Sequence, residues 1–474
     1  QVGPTSIPQT WDWCSGYHAS DSTVIGFSHT HLSGTGIGDL FDITVMPVVG
    51  EVTYARGEEN DPASGLWSYA DRTREITKPG YYSVPLVRYG ITAELTATER
   101  VGLHRYTFPA SDAAAVVFDL ENGGCWDKAT DTGFRFSDDS TRIAGWRCST
   151  GWAKNQEVYF VAEFSKPAKG ISYLQPGEID DSKMPRIAAR YARVDFDTAE
   201  GEQVLVKVAL SPVSIEGAKA NLAAELSGWD FDATAAAADK AWNDELSKVK
   251  IETEDETSKR IFYTALYHTM VAPSLFCDVN GDYRGADGKV HENPGRDTYT
   301  TFSLWDTYRA AMPLMTVLHP ERMPDIIQTM LHIADEQGRL PVWHLWGNET
   351  DCMVGNPGIV AVADAIVKGI GGFDREKAFE TIRKTAMNPD RGNGLRMEYG
   401  YIPCEMFNEA VAYDMEYALA DGAAARAAET LSKAEDAKYF EERSHSYRNY
   451  FDPVTRFMRG RDSKKGWRTP FNAF

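Results

Sequence analysis

The chain has 474 residues, 43% of them hydrophobic and 12% aromatic, and its 49 basic and 69 acidic residues give a formal net charge of −20. This length exceeds what one hydrophobic core organises and predicts two domains, and the composition is that of a globular protein. The acidic balance argues against nucleic acid or an anionic membrane as a partner and fits a neutral ligand. No run of about 18 apolar residues is present, so the sequence predicts no membrane span.

Six cysteines, at positions 14, 125, 148, 277, 352 and 404, include no Cys-x-x-Cys pair. This spacing argues against a zinc site or a thioredoxin-like redox centre. Cys125 and Cys148 both neighbour Trp-containing segments and could be bridged, while buried thiols are expected for most of the others. The cysteines therefore leave the cellular compartment undecided.

The first half of the chain, residues 1–230, has the pattern of β structure. Apolar and polar residues alternate along 91–98, 158–164 and 204–210, which is the period of a half-buried strand. Turn residues separate these runs. Many short strands with turn-rich connections predict an antiparallel sandwich.

The periodicity changes near residue 232. An Ala-rich segment from Thr234 has apolar residues at helical spacing and predicts a linker helix. Nearly every later element is predicted to be helical, with about eight helices between Asp255 and Tyr450. Pro357 follows a turn and is expected at the first position of one helix, and Asn408 is placed to cap another. The helix after Asn408 has the apolar residues Val411, Met415 and Leu419.

The segment 300–358 is the most informative for function. It contains two polar clusters with tryptophan, one around Trp305-Asp306 and one from Trp343 to Glu349. Indole faces stack on the apolar faces of sugar rings, and carboxylates hold sugar hydroxyls by hydrogen bonds. The alternative is a polar loop with two anchoring tryptophans.

Asp306 and Arg309 are three residues apart, a spacing that makes them neighbours on one helix face. An apolar stripe over 304–318 is expected to be the buried face of a single helix, which leaves Asp306 away from the core. One interpretation is a carboxylate that is favoured by the helix dipole and paired with Arg309. A cap alone does not explain the adjoining Trp305, which favours a sugar contact.

Two histidines, His29 and His31, precede the Gly-rich run 33–36. Both would point the same way along a strand, as a ligand pair does, but two histidines under-ligate zinc. The Gly-rich run also lacks the Lys and the following helix of a phosphate-binding loop. Two interpretations stay open: a sandwich loop that reaches a substrate, or a Gly-rich turn with histidines at the strand end.

Four blocks in the same order resemble glycoside hydrolase family 92. They are FSLWDTYRAAMPL, the run W-x-x-W-G-N-E-T-x-x-M-x-G, GFSHTHLSGTGIGDL at 26–40 and TATERVGLHRYTFP at 96–109. The resemblance extends over residues 1–474 and implies a calcium-dependent, inverting exo-α-mannosidase. It implies an N-terminal antiparallel β-sandwich followed by an (α/α)6 barrel, with the active site between them.

The resemblance also sets the expected domains and ends. They are a β-sandwich at 1–231, a linker helix at 232–252 and the first part of the barrel at 253–474. Because twelve helices close such a barrel, the barrel is expected to be incomplete here. The family's EGN-type and HGNEP-type motifs do not occur as strings, and the resemblance implies that they and the family's paired Asp belong to a part that follows residue 474. The chain is therefore expected to be truncated at both ends, to hold the substrate-binding portion without the general acid and base, and to be inactive alone.

The resemblance implies that a set of side chains contacts the terminal mannose or shapes its pocket. Asp306 would hold hydroxyls, Trp343 would be the stacking wall, and Glu349 would bind hydroxyls rather than act as the general acid. The full set is Tyr17, His29, His31, Trp305, Asp306, Arg309, Trp343 and Glu349.

The remaining expectations concern cofactor, partner and location. Ca²⁺ is the expected cofactor, with its ligands mainly outside this chain and none assigned within it. The expected partner is a mannose-containing oligosaccharide or glycoprotein glycan, such as an N-glycan or mannan, and the expected location is secreted, periplasmic or at the cell surface. The alternatives are another (α/α)6 enzyme (an inverting phosphorylase or a glucoamylase-like hydrolase) and a non-catalytic glycan-binding protein.

Overall fold

The computed structural model describes residues 17, 21–32, 39–58, 61, 63–124, 126–135, 139–175 and 187–473. Contacts between residues divide the chain into two compact units. Unit 1 comprises 1–284 and 292–295, and unit 2 comprises 285–291 and 296–474. The domain boundaries expected from the sequence, at 231 and 252, stay predictions. Cys125, one end of the suggested disulfide, lies outside the described residues.

Unit 1 consists mainly of strands. They are β1 (Thr23–Val24), β2 (Thr44–Val49), β3 (Ser68–Tyr69), β4 (Ile76–Lys78), β5 (Tyr81–Leu86), β6 (Ile91–Ala97), β7 (Val101–Phe108), β8 (Ser111–Asp119), β9 (Lys128–Arg135), β10 (Arg142–Thr150), β11 (Gln156–Phe164), β12 (Gly170–Leu174), β13 (Ile187–Ala188), β14 (Tyr191–Thr198), β15 (Glu202–Ser211), β16 (Ser274–Leu275) and β17 (Tyr283–Arg284). A 3-10 turn spans Arg72–Arg74.

Two antiparallel sheets form the core of unit 1. The larger sheet has the order β13-β9-β10-β11-β15-β7-β6-β5-β4 and the smaller β12-β14-β8-β2. Phe118 of β8 stacks on Phe160 of β11 with ring centroids 5.9 Å apart, and Phe164 meets Phe196 of β14 at 5.8 Å. Aromatic contacts therefore join the facing sheets, and the predicted antiparallel N-terminal domain is confirmed.

Strand β11 follows the predicted alternation of buried and exposed residues at most positions and departs from it at one. Its residues Val158, Phe160 and Phe164 are buried, as the period of two requires. Val161 points to the other face and is buried as well, because it packs in a cluster with Leu222 of a covering helix. The larger sheet is thus covered on both faces along this strand.

Three helices follow β15 in unit 1: α1 (Ile215–Glu225), α2 (Phe231–Leu246) and α3 (Glu256–His268). The side chains of Ser214, Asp230 and Asp255 accept hydrogen bonds from backbone N–H groups of the first turns. These caps satisfy N–H groups that have no partner within a helix. The helix predicted from Thr234 is observed as α2.

Unit 2 is mainly helical, as predicted. Its helices are α4 (Leu304–Thr307), α5 (Ala311–Leu318), α6 (Met323–Gln337), α7 (Pro357–Val367), α8 (Arg375–Ala386), α9 (Asn393–Tyr399), α10 (Ala410–Thr430) and α11 (Ala434–Arg443), with a 3-10 turn at Ser446–Tyr450. Its strands are β18 (Val290–His291), β19 (Tyr299–Thr300), β20 (Phe302–Ser303), β21 (Trp343–Leu345), β22 (Asn348–Glu349), β23 (Phe451–Asp452) and β24 (Phe457–Met458). That these helices belong to an (α/α)6 barrel stays a prediction. Among the described residues, none of the helices is both long and apolar enough to cross a membrane.

The single helix predicted over 304–318 is wrong. The chain leaves helical geometry at Ala310, which has φ −147° and ψ −50°, and this residue separates α4 from α5. Pro313 explains the break, because proline inside a continuous helix would remove a hydrogen bond and clash with the preceding turn. In α5 it lies in the first turn, where no such bond is required. Arg309 is therefore outside the helix that carries Asp306.

The start of α10 also differs from the prediction. Asn408 does not cap it: the residue before the helix is Glu409, with φ 54° and no capping side-chain bond. Met415 and Leu419 are exposed, at 38% and 43%. The buried face instead carries Asp414, which accepts a hydrogen bond from the buried guanidinium of Arg396 at 2.6 Å. A paired ionic residue thus replaces the expected apolar contact.

Candidate substrate-binding site

Three short strands of unit 2 hold both tryptophan-bearing clusters. β20, β21 and β22 form one antiparallel sheet, in which Ser303 pairs with Trp343. Helix α4 begins directly after β20 and carries Trp305 and Asp306, while Glu349 lies in β22. Residues that are 40 positions apart in sequence are thereby brought to one small structure by strand pairing.

Asp306 has the geometry of a residue that is available to a ligand. Its side chain is exposed, and its carboxylate accepts a hydrogen bond from the Ser303 hydroxyl. No other hydrogen bond of Asp306 is present among the described residues. It lies in the first turn of α4, where a negative charge is favoured. The neighbouring Trp305 is partly buried, and its indole Nε1–H lacks an acceptor among the described residues.

Arg309 does not pair with Asp306, contrary to one of the two interpretations of the sequence. Its guanidinium donates to Glu416 Oε1 at 2.7 Å, and Tyr308 OH donates to Glu416 Oε2 at 2.8 Å. The hydrogen bond to Glu416 raises the pKa of Arg309, and burial together with that carboxylate raises the pKa of Tyr308. The guanidinium also lies 4.9 Å from the centre of the Trp305 ring. Arg309, the cation nearest to Asp306 in sequence, is thus paired with Glu416 instead of with Asp306.

A glycine gives Glu416 its place. Gly355, the last residue of the W-x-x-W-G-N-E-T-x-x-M-x-G run, has φ +80°, and a Cβ there would lie 2.4 Å from Glu416 Cβ. Such a distance is shorter than any normal contact, so α10 can approach this loop only where no side chain stands. The Gly355 carbonyl also accepts a hydrogen bond from Arg391 at 2.7 Å. The glycine of the motif is therefore explained by close packing on Glu416.

Trp343 and Glu349 lie inside the fold in this structure. The Trp343 side chain is 2% exposed. Glu349 accepts hydrogen bonds from the backbone N–H groups of Val342, Trp343 and Asp351 at 2.8, 2.9 and 3.0 Å. A carboxylate that satisfies three backbone donors braces a loop. The geometry differs from the sequence interpretation, in which Trp343 is a stacking wall and Glu349 binds hydroxyls.

The backbone around these clusters is strained. Four non-glycine residues have positive φ angles: Thr301 at 64°, Trp346 at 48°, Asp351 at 55° and Met353 at 73°. Each such conformation costs roughly 1 kcal/mol or more and persists only where the surrounding structure enforces it. Strain of this kind concentrates at ligand-binding sites, which supports the assignment of function to this segment.

His344 is a buried neutral histidine behind the same loop. Thr300 Oγ accepts the Trp346 N–H at 2.7 Å and lies 3.3 Å from His344 Nδ1. The other ring nitrogen, Nε2, has no hydrogen-bond partner among the described residues. Burial lowers the pKa of His344 to about 3. The ring is therefore uncharged at any physiological pH.

In unit 1, His29 belongs to a hydrogen-bonded chain of three side chains. Its Nδ1 lies 2.6 Å from the Ile43 carbonyl, its Nε2 lies 2.9 Å from His104 Nε2, and His104 Nδ1 lies 2.6 Å from Tyr106 OH. Because a carbonyl only accepts, His29 carries its proton on Nδ1, His104 donates to His29, and Tyr106 donates to His104. Burial lowers the pKa of His29 to about 4 and that of His104 well below its usual range. Both ring nitrogens of His29 are thus engaged within the protein.

His31 and Tyr17 have different surroundings. His31 is exposed and forms a β-bridge with Leu40, so the two histidines differ in burial. Tyr17 is 40% exposed, and its hydroxyl donates to Glu75 at 3.2 Å. The Gly-rich run 33–36 lies outside the described residues. His31 and Tyr17 keep their predicted role of shaping a pocket as an untested prediction.

Sequence reasoning missed two residues that organise these sites, Glu416 and His104. His104 lies within the quoted block TATERVGLHRYTFP, and its alternation with Tyr106 on one face of β7 could have identified the pair. No local signal identifies Glu416, because its partner Arg309 is 107 residues away.

Two family models match nearly the whole chain. The Glycosyl hydrolase family 92 catalytic domain matches residues 217–474, and the Glycosyl hydrolase family 92 N-terminal domain matches residues 1–211. The chain belongs to glycosyl hydrolase family 92. The resemblance inferred from the four sequence blocks is confirmed, and the family membership disfavours a phosphorylase or a glucoamylase-like hydrolase.

Solved structures of family 92 members agree with this membership. A family GH92 alpha-mannosidase from Bacteroides thetaiotaomicron is 39% identical with a TM-score of 0.92, over 98% of this chain and 63% of that one. Its complex with mannoimidazole matches at 38% identity and a TM-score of 0.92, over 98% and 62%. A family GH92 inverting mannosidase from the same organism is 29% identical with a TM-score of 0.85, over 96% and 62%.

A curated relative supplies the last comparison. It is described as an uncharacterized secreted glycosidase of Arthroderma benhamiae and is 25% identical over 498 residues, which are 94% of this chain and 59% of the relative. The chain thus spans between 59% and 63% of the length of these relatives.

Proposed function

We propose that this family 92 chain is the substrate-binding portion of an exo-α-mannosidase, which releases terminal α-linked mannose from an N-glycan or a mannan. The proposed reaction is hydrolysis by single displacement, in which water attacks the anomeric carbon and inverts its configuration. The names of two similar structures, an alpha-mannosidase and an inverting mannosidase, support the proposal. We further propose an extracytoplasmic location, because the curated relative is called secreted.

One observation carries the proposal for the chain's own residues: Asp306 is exposed and forms no ion pair among the described residues. Its nearest cation in sequence, Arg309, is bound to Glu416 at 2.7 Å, so the carboxylate keeps its capacity to accept hydrogen bonds. Sugar hydroxyls are donors for such an acceptor, and charge-assisted bonds of this kind are strong. The adjoining Trp305 offers an aromatic surface for the pyranose ring.

The other site residues divide into contacts and supports. We propose Asp306 and Trp305 as the direct contacts of the terminal mannose, and Arg309 as the group that orients the indole. Trp343 and Glu349 would hold the loop from within. Inverting hydrolysis needs two further carboxyls, one acid and one base, roughly 6.5–9.5 Å apart. We assign neither role to the residues named here.

Calcium is proposed as the cofactor on the family's precedent, and the described residues do not form its cage. Within the part of the chain that the structure describes, no group of three or more His, Cys, Asp or Glu side chains is arranged to hold a metal ion. Ca²⁺ would help position sugar hydroxyls when bound. Removal of calcium with a chelator should abolish mannoside hydrolysis by the enzyme, and Ca²⁺ but not Zn²⁺ should restore it; full activity after exhaustive chelation would contradict the proposal.

The experiment that tests the site uses Asp306→Ala and Asp306→Asn. Each should lower kcat/KM for an α-mannoside by at least about tenfold, because each removes a charge-assisted hydrogen bond. Binding of mannoimidazole, measured by calorimetry, should weaken in parallel. A matched control is Asp335→Ala on α6, which removes an exposed carboxylate that is paired with Lys377 of α8.

The same measurements separate the proposal from its alternatives. Mannoimidazole binding without hydrolysis in the natural protein would indicate a non-catalytic glycan-binding protein. Unchanged kinetics and unchanged mannoimidazole binding in both Asp306 variants would place the sugar site elsewhere. Unfolding of the Asp306 variants, measured by circular dichroism, would indicate that the carboxylate acts only on its helix.

A further inference from the structure

An exposed pair of tryptophans lies in unit 1, outside the set of residues assigned above. Trp126 is 42% exposed and is the only exposed tryptophan in the described part of the chain. Its ring meets the partly buried ring of Trp152, with centroids 5.5 Å apart and planes inclined by 46°. The two indoles form one aromatic surface that is open to solvent on the side of Trp126.

The residue after Trp126 is anchored in the core. The Asp127 carboxylate binds Arg147, whose side chain is fully buried, and accepts the Ser149 hydroxyl at 2.6 Å. Arg147 also donates to the buried Asp42 at 2.6 Å. The backbone that presents Trp126 is therefore held by a desolvated ionic network rather than by the packing of its own indole.

Trp152 is anchored by a second buried carboxyl. Its backbone N–H donates to Asp39 Oδ2 at 3.0 Å, and Asp39 is 1% exposed. The other oxygen, Oδ1, has no hydrogen-bond partner among the residues that the structure describes. A Cβ at Gly151 would lie 2.6 Å from this oxygen, and a Cβ at Gly124 would lie 2.5 Å from Asp39 Cα. Only glycines allow both loops to close on this carboxyl.

An exposed tryptophan without a function would not require a backbone anchored by so many buried contacts. Apolar surface left in water forgoes about 25 cal/mol per Å², and a tryptophan is among the largest such surfaces. A rigid aromatic presented from a fixed backbone binds with little loss of conformational entropy, which is typical of binding hot spots. The net charge of −20 disfavours an anionic ligand. A neutral ring with apolar faces fits the two indoles best.

We propose that Trp126 and Trp152 form a second carbohydrate-binding surface, which takes a neutral hexopyranose unit of a glycan chain. It is distinct from the Asp306 site in its residues and belongs to unit 1. The indoles would stack on the apolar face of the sugar ring, and the anchored loops would keep the two rings in place. The choice of an α-mannan as the main probe rests on the proposed function, whereas the presence of a surface that binds sugar does not.

The test is the migration of the 474-residue chain in native gels that contain soluble α-mannan or soluble dextran. We expect the wild-type chain to be retarded in at least one of them. Trp126→Ala and Trp152→Ala should each weaken binding by about fivefold, within the range of an aromatic contact, whereas Trp126→Phe should keep most of it. The polysaccharide that retards the chain should also protect the tryptophan fluorescence of the wild type from quenching by acrylamide. This protection should be smaller in Trp126→Phe, because the exposed indole is absent.

Two controls keep the surfaces separate. Tyr447→Ala removes an exposed aromatic ring in unit 2 and should leave retardation unchanged. Asp306→Ala should weaken retardation less than Trp126→Ala does, because Asp306 is proposed to hold only a terminal mannose of the polymer. Near-ultraviolet circular dichroism and thermal melting establish whether each variant is folded. If the alanine variants do not fold, the fluorescence protection of Trp126→Phe decides whether Trp126 contacts the polysaccharide.

Three results would overturn the inference. They are a wild-type chain that neither gel retards, a Trp126→Ala variant retarded as strongly as the wild type, and retardation that is lost in Asp306→Ala but kept in Trp126→Ala. The last result would leave the proposed function intact. Conversely, loss of retardation in the tryptophan variants together with normal hydrolysis by Asp306→Ala would support the second surface and contradict the assignment of Asp306.

Discussion

The arginines of two regions, Arg147 in unit 1 and Arg309 in unit 2, have opposite effects on a nearby carboxylate. Arg147 is fully buried and binds both Asp42 and Asp127, so two carboxylates share one cation inside the fold and serve its stability. Arg309 binds Glu416 and leaves Asp306 exposed. The comparison teaches that the partner an arginine finds in three dimensions, and not its neighbour in sequence, decides whether a carboxylate is available to a ligand.

The largest expected effect tests the structural side of the comparison. Arg147→Met would leave two buried carboxylates without their cation, and breaking a buried ion pair in this way typically costs about 3–5 kcal/mol. We expect the free energy of unfolding in urea to fall by that amount. Arg426→Met is the matched control, because its partners Glu429 and Glu441 are exposed, and it should change stability by less than about 1 kcal/mol. Equal effects of the two variants would contradict the distinction.

Between pH 5 and pH 7.5, a smaller effect should appear as a pH dependence of unit 1. Burial, with a further contribution from Asp127, raises the pKa of Asp39 to about 7. The folded protein therefore keeps a proton that the unfolded chain releases above about pH 4, so the contribution of Asp39 to stability is greatest below that pH and declines until the pH passes about 7. Each pKa unit corresponds to about 1.4 kcal/mol.

Asp39→Asn should remove this decline. The difference in unfolding free energy between pH 5 and pH 7.5, measured in urea, should be smaller in the variant than in the wild type. The comparison between the two chains cancels the opposite contribution of the buried histidines, which lowers stability below about pH 6.5. An identical slope in both chains would show that Asp39 does not keep its proton in the folded state.

The functional side of the comparison is tested at Glu416. In Glu416→Ala, Arg309 loses its partner and becomes free to pair with Asp306. Because that pair would compete with sugar hydroxyls, we expect binding of mannoimidazole and kcat/KM for α-mannosides to fall by about tenfold, the equivalent of one charge-assisted hydrogen bond. Glu429→Ala, on the exposed side of the same helix, should leave both values unchanged.

A double variant sharpens this prediction. If the loss in Glu416→Ala comes from Arg309 closing on Asp306, then Glu416→Ala combined with Arg309→Met should recover part of the binding. If the loss comes from a displaced helix α10, the double variant should bind no better than the single one. The recovery is therefore specific to the electrostatic explanation.

The smallest effect is expected where the pair is exposed on both sides. Lys240 and Asp244 form an ion pair on α2 with side chains 75% and 60% exposed. Lys240→Ala should change the free energy of unfolding by less than about 0.5 kcal/mol, because exposed helical pairs contribute little. If the melting temperature of Lys240→Ala fell as far as that of Arg147→Met, burial of the ion pair would not explain the different effects of the two variants.

Sequence patterns predicted what short-range physics determines. The alternation along 158–164 placed the right side chains in the core, and Pro357 marked the first residue of α7. The break between α4 and α5 also had a local signal, Pro313, which the apolar stripe obscured. The order of an antiparallel sheet domain followed by helices was predicted because the periodicity changes once, near residue 232.

The site was predicted less completely, because its contacts are long-range. The segment 300–358 was singled out for a carbohydrate site, which stays a prediction, and its backbone is strained. Composition could not show that Trp343 is buried or that Glu349 satisfies backbone N–H groups across a hairpin. It also could not show that Arg309 is bound by Glu416, because spacing of three residues suggested Asp306 as the nearer partner.

Gly355 affects the site through the space it leaves, in addition to the charges described above. The space left by its missing side chain admits Glu416 Cβ, so the size of the residue at this position sets how closely α10 can approach the loop. A methyl group at 355 would push on Glu416 without altering any charge, and through it on Arg309 and the indole of Trp305. The position therefore works as a spacer, through which the affinity of an exposed carboxylate could be adjusted from a residue that never meets the ligand.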